Sequence, residues 1–155
     1  WWSISGIAAS ATEIKDTQIL EFIERTRQLF FIHKKIVAKQ SYFPIAPFIK
    51  GIRQPVLILP VSLLEESSAT DIKAIIMHEL AHLRRYDLEI HQLIRILKMI
   101  LWFLPPVWWL QKKLYNDQDI ASDECAAVVL GSGLEIGEAL THLAEFYLEQ
   151  KEIIP

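Results

Sequence analysis

Five consecutive residues, His78-Glu79-Leu80-Ala81-His82, carry the chemistry of this sequence. On an α-helix, residues four apart lie on one face, so both imidazoles can reach a single metal ion. Glu79 follows the first of them and can point at a water on that ion. Two neutral nitrogens and a carboxylate leave one position open, which is a ligand set of catalytic zinc. Such an ion draws the pKa of its water down to about 7, and a neighbouring glutamate takes the proton as hydroxide attacks a carbonyl. The spacing is the H-E-x-x-H pattern of zinc peptidases. A chance match in a chain of 155 residues is on the order of one in a few hundred.

Two histidines do not hold catalytic zinc alone. The acid-rich run Asp117, Asp119, Asp123, Glu124 supplies candidates for the third ligand. Asp119 and Asp123 are four apart and share a helix face. In this reading Asp119 binds the metal, while Asp123 hydrogen-bonds the free nitrogen of a ligand histidine and fixes its tautomer. Glu124 is the fallback ligand, although it lies about 100° further round the helix. Asp117 fits better as an acid at a helix N-terminus. Ile120, Ala121 and Ala127 imply that this helix packs inward.

Other polar residues have plainer readings. Asp87 serves equally well as a tie to Arg84 or Arg85 and as a cap at a helix junction. His33, His91 and His142 lack ligand spacing and read as surface or partly buried residues. Tyr86 is a weak candidate for stabilising an oxyanion, and Cys125 reads as a small buried apolar residue.

The elements that must position these groups follow from periodicity. A helix capped by Asp16 or Thr12 runs to about Phe31 on Ile19, Leu20, Phe22, Ile23, Leu29 and Phe30. Lys35 to Ser41 reads as a short strand, and Pro44 to Gly51 as a proline-punctuated stretch. Val56-Leu57-Ile58-Leu59, between Pro55 and Pro60, reads as a short buried strand, with Gly51 at a hairpin turn. The zinc-binding helix starts at a Thr70-Asp71 cap and runs through about Tyr86. A helix from Asp87 or Leu88 stops at the prolines after Phe103. Two more cover Pro106 to Tyr115 and Asp117 to Leu130, the second ending at Gly131 and Gly133. A last helix spans Leu134 to Lys151. The fold class is α+β, mainly helical, with a small N-terminal β-sheet in one domain over residues 1–155.

Composition narrows the partners. The chain is 52% apolar and 23% charged, which excludes a disordered protein. A net charge of −3 offers no basic excess for a phosphate backbone, so no nucleic acid is expected. The single cysteine excludes an internal disulfide. The apolar opening from Trp1 to Thr12 and the greasy stretch Met99 to Leu110 are each too short to cross a bilayer, which needs about 20 residues. The stripe Leu93, Ile96, Leu97, Ile100, Leu101, Leu104, with Trp102, Trp108 and Trp109, reads as helix-packing core with partial membrane contact. Arg95 and Lys98 argue against full insertion but suit an interfacial helix. The opening without Met and the incomplete spans suggest a piece of a longer integral-membrane protein.

His78-Glu79-Leu80-Ala81-His82-Leu83-Arg84-Arg85-Tyr86-Asp87 resembles the core of the M56 peptidases, the family of the BlaR1 and MecR1 type of β-lactam sensor. Pro47, Gly51 and Pro55-Val56-Leu57-Ile58-Leu59-Pro60 resemble the segment before that family's zinc helix. Leu104-Pro105-Pro106-Val107-Trp108-Trp109-Leu110 is similar to its N-P-L-V-W-W-L segment. Asp119-Ile120-Ala121-Ser122-Asp123 stands where the family carries E-x-A-C-D. The resemblance covers Pro47 to Leu130. It implies a gluzincin-type domain with Zn²⁺ held by His78, His82 and the carboxylate at position 119, and Glu79 as general base. It further implies a membrane protein with the zinc domain on the cytoplasmic side, cleaving a protein or peptide such as a transcriptional repressor or itself. One departure stands out: Asp119 is a carbon shorter than the family's Glu, about 1.5 Å.

Three functions are therefore expected in order. The first is a zinc-dependent endopeptidase domain anchored to a membrane by flanking spans. The second is a catalytically impaired signalling or scaffold module that keeps the peptidase fold, motivated by Asp119. The third is a zinc hydrolase of a non-peptide substrate. No Ser-x-x-Lys motif is present, so antibiotic sensing does not follow from these residues.

Overall fold

The structure is a computed structural model, and it describes residues 9–130 together with Gly6 and Thr141. Among the described residues the sheet has four strands: β1 (Thr12–Glu13), β2 (Val37–Ser41), β3 (Phe48–Lys50) and β4 (Val56–Pro60), in the order β1-β2-β4-β3. β4 reads as an unbroken apolar run because both of its faces are covered: Leu57, Ile58 and Leu59 are all fully buried. It pairs in parallel with β2, from Val37 opposite Val56 to Ser41 opposite Pro60. β3 returns antiparallel along its other side, with Ile49 opposite Leu57. The prolines at the ends of β4 lack an N–H, yet the Pro55 carbonyl still accepts from Val37 N–H at 3.0 Å.

The turn between β3 and β4 falls at Gly51, as its glycine suggested. Gly51 has φ +96°, and a Cβ there would stand 2.5 Å from the Gln54 carbonyl oxygen. The strand before it is an addition to the sequence reading, which gave Pro44 to Gly51 only as a proline-punctuated stretch. Phe48, Ile49 and Lys50 are only partly buried, so no alternating pattern announces this edge strand.

Helix α1 (Thr17–Leu29) is capped by Asp16, whose Oδ1 accepts from Gln18 N–H at 2.8 Å and Ile19 N–H at 3.4 Å. A short α2 (Val61–Glu66) leads from β4 into α3 (Ala69–Arg84). The cap of α3 is Ser68 rather than Thr70. Ser68 Oγ accepts from Asp71 N–H at 3.1 Å, and Asp71 Oδ2 accepts from Ser68 N–H at 3.3 Å, a reciprocal capping box.

α3 is the axis of the domain. Ala74, Ile75, Ile76, Met77, Leu80, Ala81 and Leu83 are buried, against Ile23, Phe30, Leu57, Leu59, Leu63 and Ala126. His78, Glu79 and His82 occupy the strip that this core leaves partly open.

Tyr86, in the left-handed region at φ 61°, turns the chain from α3 into α4 (Asp87–Ile100). A tight corner then leads to α5 (Pro105–Leu130). The two helices expected here are one. Between Val107 and Leu130 there is neither Pro nor Gly, and Asp117, which read as a helix start, is an exposed mid-helix residue. At about 1.5 Å per residue α5 is about 39 Å long. Among the described residues, no helix is long and apolar enough to cross a membrane. The corner between α4 and α5 nevertheless exposes Met99, Trp102, Phe103, Trp108 and Trp109. Lys98 and Lys113 stand over the faces of Trp108 and Trp109, 4.0 and 5.6 Å from the ring centroids. Apart from Thr141, the expected helix from Leu134 to Lys151 lies outside the described residues, as do Gly131 and Gly133.

Because of the positive φ and the blocked Cβ, Gly51→Ala is expected to cost more than about 1 kcal/mol of stability. Urea unfolding followed by circular dichroism measures this, and an unchanged midpoint would show that the turn relaxes freely.

Candidate metal centre

The face of α3 that escapes the core turns towards α5. On α5, Gln118, Ser122 and Ala126 follow at intervals of four and are buried against α3, so the neighbouring positions Asp119 and Asp123 reach the rim of the same seam. Asp123 Oδ1 lies 2.7 Å from His78 Nδ1. Asp87, at the first position of α4, is 1% exposed and places Oδ2 2.8 Å from His82 Nδ1. Ser122 Oγ is a second neighbour of that nitrogen, at 3.1 Å.

These partners fix the tautomers. An ionised carboxylate can only accept, so each Nδ1 carries a proton and donates it. Both Nε2 atoms are then bare lone pairs, and they face each other at 3.1 Å. Lone pairs that close repel unless a cation or a proton comes between them. The chemistry of this donor set therefore fits a divalent ion. Two ligands of a tetrahedral zinc stand about 3.3 Å apart, which the histidine pair already approximates.

Asp119 Oδ1 is 3.8 Å from His82 Nε2, on a side chain that is 67% exposed. The remaining gap is about 0.5 Å beyond that ligand separation. Among the described residues, no group of three His, Cys, Asp or Glu side chains has closed to ligand spacing. The histidine pair is formed, and Asp119 stands off at its edge. Asp117 and Glu124 are exposed, and neither makes an ion pair with the histidines.

The charges follow from burial. Burial, with the neighbouring His82, holds His78 below the ordinary imidazole range, against the opposing pull of Asp123 and Asp119. It is neutral at pH 7, the form that binds metal. Glu79 is pushed up to about 8 by burial; the Ile49 N–H, which donates to it, acts the other way, and the charge of Asp119 raises it further. That hydrogen bond also ties the edge strand β3 to the helix bearing the histidines.

The sequence reading missed Asp87, Gln118, Ser122 and His91 as parts of this site. Gln118 Nε2 donates to Asp87 Oδ1 at 2.9 Å, and His91 Nε2 lies 2.7 Å from Gln118 Oε1. One signal was available: Gln118 and Ser122 are polar residues on the inward-packing face of a helix. Cys125 is partly buried, packed against the core rather than within it.

The profile of the family described as BlaR1 peptidase M56 matches residues 1–137. The chain belongs to the M56 peptidase family. This M56 chain is similar to the regulatory protein BlaR1 of Bacillus licheniformis, 27% identical over 123 residues, which are 79% of this chain and 20% of that protein. It is also similar to the methicillin resistance mecR1 protein of Staphylococcus aureus (strain Mu50), 30% identical over 100 residues, which are 64% of this chain and 17% of that protein. The chain thus spans about a fifth of the length of the curated relatives it matches. The M56 domain seen here is mainly helical with a small four-stranded sheet towards its N-terminus.

A raised acid pKa means that the fold retains a proton which the unfolded chain releases between pH 4.5 and about 8. The stability this provides is full below pH 4.5 and is lost as the pH rises through about 8. Glu79→Gln has no proton to lose. In metal-free protein it is expected to match the parent near pH 5 and to exceed it by on the order of 2 kcal/mol at pH 9. Urea unfolding in a chelator at both pH values measures this, and an equal difference at the two would show that Glu79 titrates in the ordinary range.

Proposed function

We propose that this M56 domain is a zinc-dependent endopeptidase of gluzincin type, acting in regulatory proteolysis at a membrane. The observation that carries the reading is the pair of imidazoles, each tied through Nδ1 to a carboxylate, with their Nε2 atoms 3.1 Å apart. His78, His82 and Asp119 are the ligands, Asp123 orients His78, and Glu79 is the general base. When bound, zinc supplies a Lewis acid that makes water acidic near neutrality and stabilises negative charge on the carbonyl oxygen. Glu79 takes the proton of the attacking water and later gives it to the amine nitrogen, as the carbon–oxygen bond forms and the carbon–nitrogen bond breaks. Burial raises the Glu79 carboxyl in the metal-free fold, and a dication beside it would favour the ionised form that accepts a proton.

An extended peptide suits the surroundings. β3 ends the sheet beside the catalytic helix, and an edge strand accepts a further strand through its backbone. A cavity of about 540 Å³ opens between β3 and α4, walled by Ile49, Lys50, Gly51, Leu88, His91 and Arg95. A peptidyl segment of a protein, such as a repressor or the chain itself, is therefore the substrate class. The exposed tryptophans at the α4–α5 corner, beneath Lys98 and Lys113, support a seat at a membrane interface, where such residues are favoured. The cytoplasmic face is the side proposed. The 3.8 Å stand-off of Asp119 favours a second reading, a signalling or scaffold module that keeps the fold without cleaving.

Metal analysis and cleavage assays separate the two. Purified protein is expected to bind about one zinc per chain near neutral pH and to cleave peptide bonds. Glu79→Gln keeps the zinc and loses at least about 10²-fold in cleavage rate. His78→Ala loses both, and Asp119→Ala lowers zinc affinity. No zinc uptake by the parent near pH 7 would leave the scaffold reading standing, and full cleavage by Glu79→Gln would remove Glu79 from its role.

A further inference from the structure

The metal-ligand pair does not end at its carboxylates. Asp87 is buried, and both of its oxygens are in use: Oδ2 accepts from His82 and Oδ1 accepts from Gln118. Gln118 is 2% exposed, so neither end of its amide has water to fall back on. Its nitrogen must face Asp87, because a carboxylate needs a donor. Its oxygen must then face a donor, and that is His91 Nε2, at 2.7 Å. The tautomer of His91 is thereby set, with the proton on Nε2. Tyr115 lies against the His91 ring, 4.2 Å between centroids, and limits its rotation. The far end of this chain is not buried in the core. His91 is part of the wall of the cavity between β3 and α4.

We propose that Gln118 and His91 are positioning residues for His82, acting through Asp87, and that their hydrogen bonds hold the His82 ring with its Nε2 lone pair aimed at the metal. The proposal builds on the metal reading of the His78–His82 pair. The physical argument is directional. Asp87 could rotate about its own side-chain bonds and offer either oxygen to either neighbour. With Gln118 on Oδ1, where Arg85 Nε also stands 4.0 Å away, Oδ2 is the oxygen turned to His82. Gln118 in turn is held by His91, since an amide with one unmatched end could turn over and present its oxygen to Asp87, where it would repel. Each link thus removes one wrong arrangement of the next. Partners of this kind typically change metal affinity by about 10- to 100-fold when removed.

The test uses the Glu79→Gln protein, so that self-cleavage does not intrude, and zinc alone as the probe. Affinity is read by competition with a chromophoric chelator. His91→Phe keeps a flat ring against Tyr115 and removes the donor; it is expected to weaken zinc about 3- to 10-fold, and Gln118→Met about 10- to 100-fold. His91→Gln restores an N–H donor and is expected to recover most of the loss, which a merely structural role for the ring would not predict. Nitrogen-15 spectra of the metal-free proteins give a second readout. The parent is expected to show His82 protonated at Nδ1 alone, and His91→Phe a mixture of tautomers. Zinc affinity and tautomer unchanged in both His91→Phe and Gln118→Met would overturn the proposal. If the parent takes up no zinc, the metal reading fails, and the tautomer of His82 still decides the chain.

Discussion

The structure of this site depends on one repulsion and how it is held in place. Two imidazole lone pairs face each other because each ring spends its only proton on a carboxylate behind it. Nothing in α3 alone imposes this. The helix brings the rings within reach, but their orientation comes from Asp123 on α5 and Asp87 on α4. The arrangement is therefore a product of tertiary packing, and it persists only while α3, α4 and α5 stay clamped together. The fully buried Leu80 and Ala81, lying between the two histidines in sequence, belong to the core cluster that also holds Ala126 of α5.

Much of this was legible in the sequence, and the reasons are specific. His78 and His82 are four apart in a run without Pro or Gly, so a shared helix face was forced. β4 was legible because four consecutive apolar residues between prolines have few other uses. The missed features share a cause. Asp87 lies five residues after His82, across a helix break that the sequence does mark, but the left-handed Tyr86 that turns Asp87 back towards His82 is announced by no local pattern. Gln118 and His91 meet only because α4 and α5 pack side by side, and a long-range contact between two polar side chains leaves no periodic trace. β3 was hidden for a similar reason: its order comes from pairing with β4, not from its own residues.

The division of α5 was misread for an instructive reason. Asn116 and Asp117 look like a boundary because acids favour helix starts. They are tolerated mid-helix because both point to solvent, where an exposed acid away from the first turn costs little. Polar residues in the middle of a helix mark a surface as readily as they mark an end.

The unbroken α5 has a mechanical consequence. Its first turns carry the exposed Trp108 and Trp109, and further along the same rod stand Gln118, Asp119, Ser122 and Asp123. From Pro105 to Asp119 the rod is about 21 Å long. Because Gln118, Asp119, Ser122 and Asp123 all stand on one unbroken helix, they keep a fixed spacing, and nothing can shift Asp119 relative to the histidine pair by moving the rod without also straining the hydrogen bonds of Asp123 and Gln118.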